Sequence, residues 1–356
     1  MRPVRRGSVY LIWLTFLATP VSQHTLRGAA DHAGLLVGTA ARWQQLSEAA
    51  YASTLAREFN LLEPEDAMKW EALRPGRQSF DFSQADRIVD FASAHRMKVR
   101  GHTLVWHRQN PPWLAEGRYT PEQLAQILEQ HIKTVVSHYR GKVFAWDVIN
   151  EAFDEPVQGR LRSTLWYDQP GIGLAQEGTA YIDRCFRWAH EADPEALLFY
   201  NEAEAETMNP KSNAVYAMVQ DFLRRGVPLD GVGFEMHISK LHPDMASISA
   251  NIGRFTALGV QVHITEMDVS LPVDAHGDPT PDDLKLQAEV YRQIATACLS
   301  HPGCNAIQTW GFTDKYSWIG SHSRGKQGAA LPFDANYQPK PAYEALRSAL
   351  EQSGRR

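Results

Sequence analysis

The sequence predicts an α/β fold, a single (β/α)8 barrel. Eight short apolar runs each end in polar residues, and segments of helical period separate them. Markers at the ends of successive runs lie 27 to 51 residues apart. A strand, helix, strand unit takes about 30 residues, and a barrel of eight such units takes about 250 or more.

The runs are taken in order. Leu35 to Thr39 and Leu61 to Asp66 open the series, followed by Val99 to Val105 and Val143 to Asn150. Leu197 to Asn201, Val232 to His237, Val260 to Glu266 and Ala306 to Trp310 complete it. Most are rich in the branched and aromatic residues that favour strands buried on both faces. Between them lie segments such as PEQLAQILEQHIKTVVSHY and NAVYAMVQDFLRRG, whose apolar residues recur at helical spacing. A doubly wound open sheet would show the same alternation. No Gly-x-Gly-x-x-Gly or Walker-type loop follows a strand to support that alternative.

The ends of the chain set the limits of the domain. Arg2, Arg5 and Arg6 precede the apolar run Val9 to Ala18, and Thr19, Pro20, Val21 and Ser22 follow it. A charged, an apolar and a polar region in that order form a secretory signal. The run is far shorter than the roughly 20 residues that span a bilayer. Residues 1–30 are therefore expected to be the signal and a short N-terminal segment, and residues 31–352 the catalytic barrel. No tidy small-x-small cleavage site precedes Gly28-Ala29-Ala30. The mature chain is expected to be exported, either secreted or periplasmic, to be free of the membrane and to act as a monomer.

Composition narrows the partners. The 356 residues carry 36 Lys and Arg against 41 Asp and Glu, a net charge of -5, which argues against nucleic acid. Three cysteines are too few for a disulfide framework. Cys298 and Cys304 could close a small loop in an exported chain, and Cys185 falls in a helical apolar run as a buried thiol. None has metal-ligand spacing, and neither a metal nor another cofactor is expected. Ten tryptophans leave open how many pack in the core and how many line a site.

In a parallel barrel the site lies at the carboxyl ends of the strands. Strand four, VFAWDVINEAF, ends in Asn150 and Glu151; strand seven, VQVHITEMDVS, ends in Glu266 with Asp268 two residues on, on the same face. Two carboxyls facing one cleft suit displacement at a sugar carbon, one protonated for the leaving oxygen and one ionised to attack. On spacing alone, pairing of each Glu with a rim Arg or Lys is an equal reading. The neighbouring runs EPEDAMKW, GHTLVWH, GFEMHI and TWGFTDKYSW add His, Trp, Lys and carboxyl groups at the same rim. That mixture fits a neutral polyhydroxylated ring, with indoles for its C–H face and polar groups for its hydroxyls.

GHTLVWH, WDVINEAF, ITEMD and WGFTDKYSW, in this order and at these separations, resemble glycoside hydrolase family 10, the retaining endo-1,4-beta-xylanases. The resemblance runs from LLVGTAARW to KPAYEAL. It implies Glu151 as general acid/base and Glu266 as nucleophile, acting on xylan or xylo-oligosaccharides. Asn150 would bind the sugar 2-hydroxyl, and His237 and Asp268 would orient Glu266. Glu65, Lys69, His102 and Trp106 would bind sugars on the non-reducing side. Trp310 and Trp318 would close over the sugar at the cleavage point.

The chain departs from the family pattern in three places. Asp66 stands where Asn is usual and Glu235 where Gln is usual, while Asn201-Glu202-Ala203-Glu204 replaces Asn-Asp-Tyr-Asn. If Asp66, Glu235 and Glu204 are ionised in the cleft, they raise the pKa values of the catalytic pair. A protonated Glu235, or neutralisation by local bases, would cancel that effect. Sibling retaining barrels acting on other beta-1,4-glycans share the Asn-Glu and Glu pair, and the Lys69, His102 and Trp106 set favours xylose. Decorated xylan or short oligosaccharides stay open as substrates, as does a non-catalytic glycan-binding relative. A metal-dependent hydrolase built on His102, His107, His237 and His263 is weaker, because His263 lies three residues before Glu266 and should face away from it.

Overall fold

The computed structural model describes residues 24–154, 159–239 and 241–353. Most of the expected signal, including its whole apolar run, lies outside the described residues.

Eight parallel strands close into a barrel: β1 (Leu36–Ala41), β2 (Leu61–Pro64), β3 (Lys98–Val105), β4 (Ala145–Asn150), β5 (Leu197–Glu202), β6 (Gly231–Phe234), β7 (Gln261–Val269) and β8 (Cys304–Thr309). Each pairs with the next in sequence, and β8 returns to β1 through Leu36 opposite Ala306 and Thr39 opposite Thr309. The eight runs read from the sequence are these eight strands, with edges moved by a few residues. Two differences have local causes. Strand β6 stops at Phe234 because Met236 turns to a left-handed φ of 68°, and the chain resumes as a two-residue strand, His237–Ile238, on the end of β7. Strand β7 runs on to Val269, and its register with β8 shifts between Ile264 and Met267.

The main outer helices are α1 (Leu26–Ala33), α2 (Ala49–Glu58), α3 (Ser83–Ala94), α4 (Pro121–His138), α5 (Ala180–Ala192), α6 (Pro210–Arg224), α7 (Met245–Ala257), α8 (Pro281–Leu299) and α9 (Pro341–Ser353). Helix α4 shows why such segments start where they do. Thr120 accepts from the Gln123 amide, the Gln123 side chain returns to Thr120, and Pro121 fills the first position, where no amide hydrogen is needed. Its Leu124, Ile127, Leu128, Ile132, Val135 and Val136 form the buried stripe.

Helix α1 packs on α9 across the barrel seam. The buried carboxylate of Glu58 ties the seam together, accepting from the Leu26 amide at 3.0 Å and from the Tyr343 hydroxyl at 2.9 Å. The boundary drawn at residue 30 therefore falls inside a folded helix, whose Leu26, Ala29 and Ala30 are buried. Cys298 and Cys304 form a disulfide between the end of α8 and the start of β8, and Cys185 is a buried free thiol. Among the described residues no helix is long and apolar enough to cross a membrane.

The middle of the barrel is charged. Arg100 donates through Nε to Asp147 Oδ2 at 3.0 Å, pairs through a second nitrogen with Oδ1, and contacts His263 Nδ1 at 2.9 Å. His102 Nδ1 lies 3.0 Å from Asp147 and 3.4 Å from Glu63, while Gln308 donates to Glu63. Gly101 is required behind this layer, since a Cβ there would lie 2.2 Å from the fixed ring of Trp146. Replacing Arg100 with Met would leave Asp147 and Glu63 without their guanidinium. Breaking such a buried pair costs about 3–5 kcal/mol. Arg100→Met is expected to lower the denaturant midpoint correspondingly, and an unchanged midpoint would refute that role.

Candidate active site

A cleft of about 470 Å³ opens at the carboxyl ends of the strands. Asn150, Glu151, Glu266, His237, Asp268, Lys69, His102, Trp106, Trp310, Trp318, Glu235 and Glu204 all line it. Twelve of the fourteen side chains singled out from the sequence thus meet in one place. Glu65 and Asp66 do not line it. Glu65 accepts from Arg42 at 2.9 and 2.7 Å, and Asp66 lies 3.0 Å from the same guanidinium and 3.8 Å from Lys69 Nζ, beside the cleft wall.

The backbone turns sharply at Glu151, which takes a left-handed φ of 52°. Such strain persists only where the surroundings fix it. Four hydrogen bonds do so here. The Glu151 amide donates to the Asn201 carbonyl, Ala152 to the Tyr200 hydroxyl and Phe153 to Glu202, while Arg162 Nε donates to the Glu151 carbonyl. Glu202 is itself paired with Lys211 at 2.9 Å, both buried, and burial pushes its pKa up to about 7. Sequence reading missed Tyr200, Glu202, Lys211 and Arg162, because nothing in their local spacing shows that they support a neighbouring strand.

Asn201 joins the two sides of the cleft. Its Nδ2 donates to Asn150 Oδ1 at 2.8 Å and to Glu266 Oε1 at 2.9 Å, and its Oδ1 accepts from Thr265 at 2.7 Å. Asn150 in turn donates to Glu151 Oε1 at 3.3 Å. A short chain of amides therefore connects Glu151 to Glu266. On the far side of Glu266, His237 Nε2 lies 3.4 Å from Oε2, and His237 Nδ1 lies 2.9 Å from Asp268, which also accepts from Trp318.

These surroundings push the two carboxyls in opposite directions. Burial raises the pKa of Glu151, and the charge of Glu266 adds to that shift. Burial would raise Glu266 as well, but the His237 hydrogen bond and the electrostatic effect of His102, His237 and Lys69 outweigh it and hold its pKa down. Burial opposes a charge on His237, yet Asp268 and Glu266 keep it protonated well above the usual histidine range. Glu235 goes the other way, because burial followed by Glu266 and Glu151 raises its pKa far above the usual range. That shift favours its neutral form and lessens the negative charge it adds to the pair. Glu204 is exposed at the rim, and Asp66 is neutralised by Arg42. The acidic departures therefore do not make an acidic cleft.

The histidine and tryptophan expectations divide. His263 is not turned outward; the β7 register shift leaves it inside the barrel on Arg100, below the cleft. His107 lies 3.8 Å from Glu151 and is kept neutral, its pKa pushed down to about 3 by burial with Arg162 and Arg108. Trp106, Trp310 and Trp318 line the cleft, with Lys69 Nζ 4.8 Å from the Trp106 ring centre. Trp70 and Trp146 are core residues, Trp70 stacked on His131.

Comparison with known proteins agrees with this geometry. The model for glycosyl hydrolase family 10 matches residues 25–349. The chain belongs to that family. It is 44% identical over 330 residues to endo-1,4-beta-xylanase B of Thermotoga neapolitana, covering 92% of each chain. It is 39% identical over 300 residues to a beta-1,4-xylanase of Dictyoglomus thermophilum, covering 82% of each. Among solved structures, xylanase 10B of Thermotoga petrophila RKU-1 in complex with xylobiose superposes with a TM-score of 0.86 at 43% identity, covering 93% of this chain and 98% of that one.

Gly233 is the position on which this family 10 cleft turns. A Cβ there would lie 2.1 Å from Asn201 Oδ1 and 2.9 Å from Thr265. Gly233→Ala is expected to push Asn201 off both Asn150 and Glu266. Misplacement of catalytic groups by about 1 Å costs on the order of 10²-fold in rate. The expected result is a fall of that order in kcat with the circular dichroism spectrum retained, and an unchanged kcat would remove Asn201 from the positioning chain.

Proposed function

We propose that this family 10 chain hydrolyses internal beta-1,4-xylosidic bonds in xylan with retention of configuration, with Glu151 as general acid/base and Glu266 as nucleophile. The observation that carries the reading is that Glu151 and Glu266 face one cleft and are joined through Asn150 and Asn201, with burial raising the first carboxyl and His237 holding the second down. Glu151 holds a proton for the departing sugar oxygen, and Glu266 is ionised to attack the anomeric carbon. Once Glu266 is esterified its charge is gone, so Glu151 becomes the more acidic group and serves as base toward water. Asn150, beside both groups, is suited to the 2-hydroxyl; His237 and Asp268 hold Glu266 in its attacking orientation. Lys69, His102 and Trp106 form one sugar-binding wall, and Trp310 and Trp318 close the other.

The assignment separates the two glutamates by product. Glu151→Ala is expected to lose about 10²–10⁴-fold on xylan, to keep its first step on aryl xylosides with good leaving groups, and to yield a beta-xylosyl azide with added azide. Glu266→Ala is expected to yield the alpha-azide. The reverse pairing would exchange the roles. The pH profile of the parent should be bell-shaped, with Glu266 setting the acid limb below the usual glutamate range and Glu151 the alkaline limb above it. Glu151→Gln should abolish the alkaline limb.

We also propose that the chain is exported. The N-terminal charged and apolar regions support this, as does the Cys298–Cys304 bond, which persists in oxidising compartments. Expression of the full sequence in a bacterium should release a protein whose intact mass lacks the N-terminal apolar run. A cytoplasmic product of full mass would overturn the proposal.

A further inference from the structure

We propose that Glu235, His237 and Glu266 form a divalent-cation site that captures zinc and blocks the cleft. The ligand atoms of the three residues all lie within 4.8 Å of one another. His237 Nε2 is 3.6 Å from Glu235 Oε2 and 3.4 Å from Glu266 Oε2. Tetrahedral zinc with bonds of about 2.0–2.1 Å separates neighbouring ligand atoms by roughly 3.4 Å. Two edges of the triangle are therefore near their bound lengths before any movement.

The residues around the triangle orient it as outer ligands orient a metal site. Asp268 holds His237 at Nδ1, which leaves Nε2 turned to the two glutamates, a carboxylate, histidine, metal arrangement. Asn201 contacts Oε1 of Glu266 at 2.9 Å and Oε1 of Glu235 at 3.4 Å, so each carboxyl keeps its Oε2 for the centre. Glu235 is buried, and its Oε2 faces His237 Nε2 at 3.6 Å. All three residues line the cleft, which leaves a fourth position open to water or a sugar hydroxyl. Two carboxylates and one imidazole make a neutral site with a divalent ion.

A second cluster, Glu63, His102 and Asp147, has the same residue types but cannot do this. The Arg100 guanidinium already occupies Asp147, Gln308 occupies Glu63, and the group is sealed in the barrel.

Metal capture stands on the geometry alone, whereas inhibition by it rests on Glu266 as the nucleophile. Zinc chloride titrated calorimetrically into the whole chain is expected to bind at one site per chain and to compete with xylobiose. Cobalt chloride should give the intense visible bands of a four-coordinate ion. Glu235→Gln should weaken zinc by about tenfold or more, and Asp268→Asn, which removes the carboxylate behind His237, by about 10–100-fold. Both variants are first checked for parent-like circular dichroism and melting. Zinc should lower the xylanase rate of the parent, relative to its metal-free rate, and a chelator should restore it. No saturable binding, or equal zinc affinity in the parent and Glu235→Gln, would overturn the site. Binding that is lost in Glu235→Gln without inhibition of the parent would uphold the site and overturn the nucleophile assignment.

Discussion

The Arg100–Asp147 pair is the contact on which the rest of the barrel depends. Barrel interiors are usually filled by branched aliphatic side chains, but here the middle layer holds Glu63, Arg100, His102, Asp147 and His263 out of water. A buried charge is tolerated only when it is paired and hydrogen-bonded. Arg100 meets that condition for Asp147, which also contacts His102 Nδ1. Glu63, next to an ionised Asp147, is driven toward its neutral form by burial and by that charge. The layer thus settles its own protons before the cleft above it is considered. Its upper face presents His102 to Trp310 and adds to the positive field that keeps Glu266 ionised.

Above that layer, regular strand geometry gives way wherever a side chain has to be aimed. Alternation along a strand places successive residues on opposite faces. Yet Asn150 and Glu151, adjacent in sequence, both enter the cleft because Glu151 turns left-handed. Thr265 and Glu266 both reach Asn201, at the point where the β7 register shifts. Met236 turns left-handed between Glu235 and His237, which both face Glu266. Each irregularity is stabilised by partners from a neighbouring strand, so the site is a property of the closed barrel and not of any one segment.

That division explains what could be read in advance. The eight strands were legible because burial on both faces leaves an unbroken apolar run, and the runs ended in the residues that line the cleft. The resemblance supplied roles that spacing alone left even. Trp70 and Trp106 both stand near strand ends in the sequence, and spacing does not tell them apart. They differ because Trp70 donates to the Leu104 carbonyl behind the sheet, a contact 34 positions away in sequence. Arg42 pairs with Glu65 and Asp66 across a similar gap, and Tyr200 with Glu202 supports Glu151 from 48 or more positions on. Long-range polar contacts of this kind have no local signature. Whether Glu235 favours its neutral form could be posed from the sequence but not decided there, since the upward shift comes from burial and from two carboxyls on other strands.

Glu235 also alters how charge is shared during the proposed reaction. In the resting cleft, Glu151 and Glu235 are both raised by the charge on Glu266. Esterification of Glu266 removes that charge from both at once. Glu151 has by then given its proton to the departing sugar, so it is the ionised group that faces the incoming water. Glu235 still carries its proton, is more deeply buried, and now feels the new charge on Glu151. The two carboxyls therefore do not exchange roles: burial keeps Glu235 neutral while the proton on Glu151 comes and goes. A carboxyl can thus stand beside the catalytic pair without competing for its proton, provided that no other cation enters to take the proton's place.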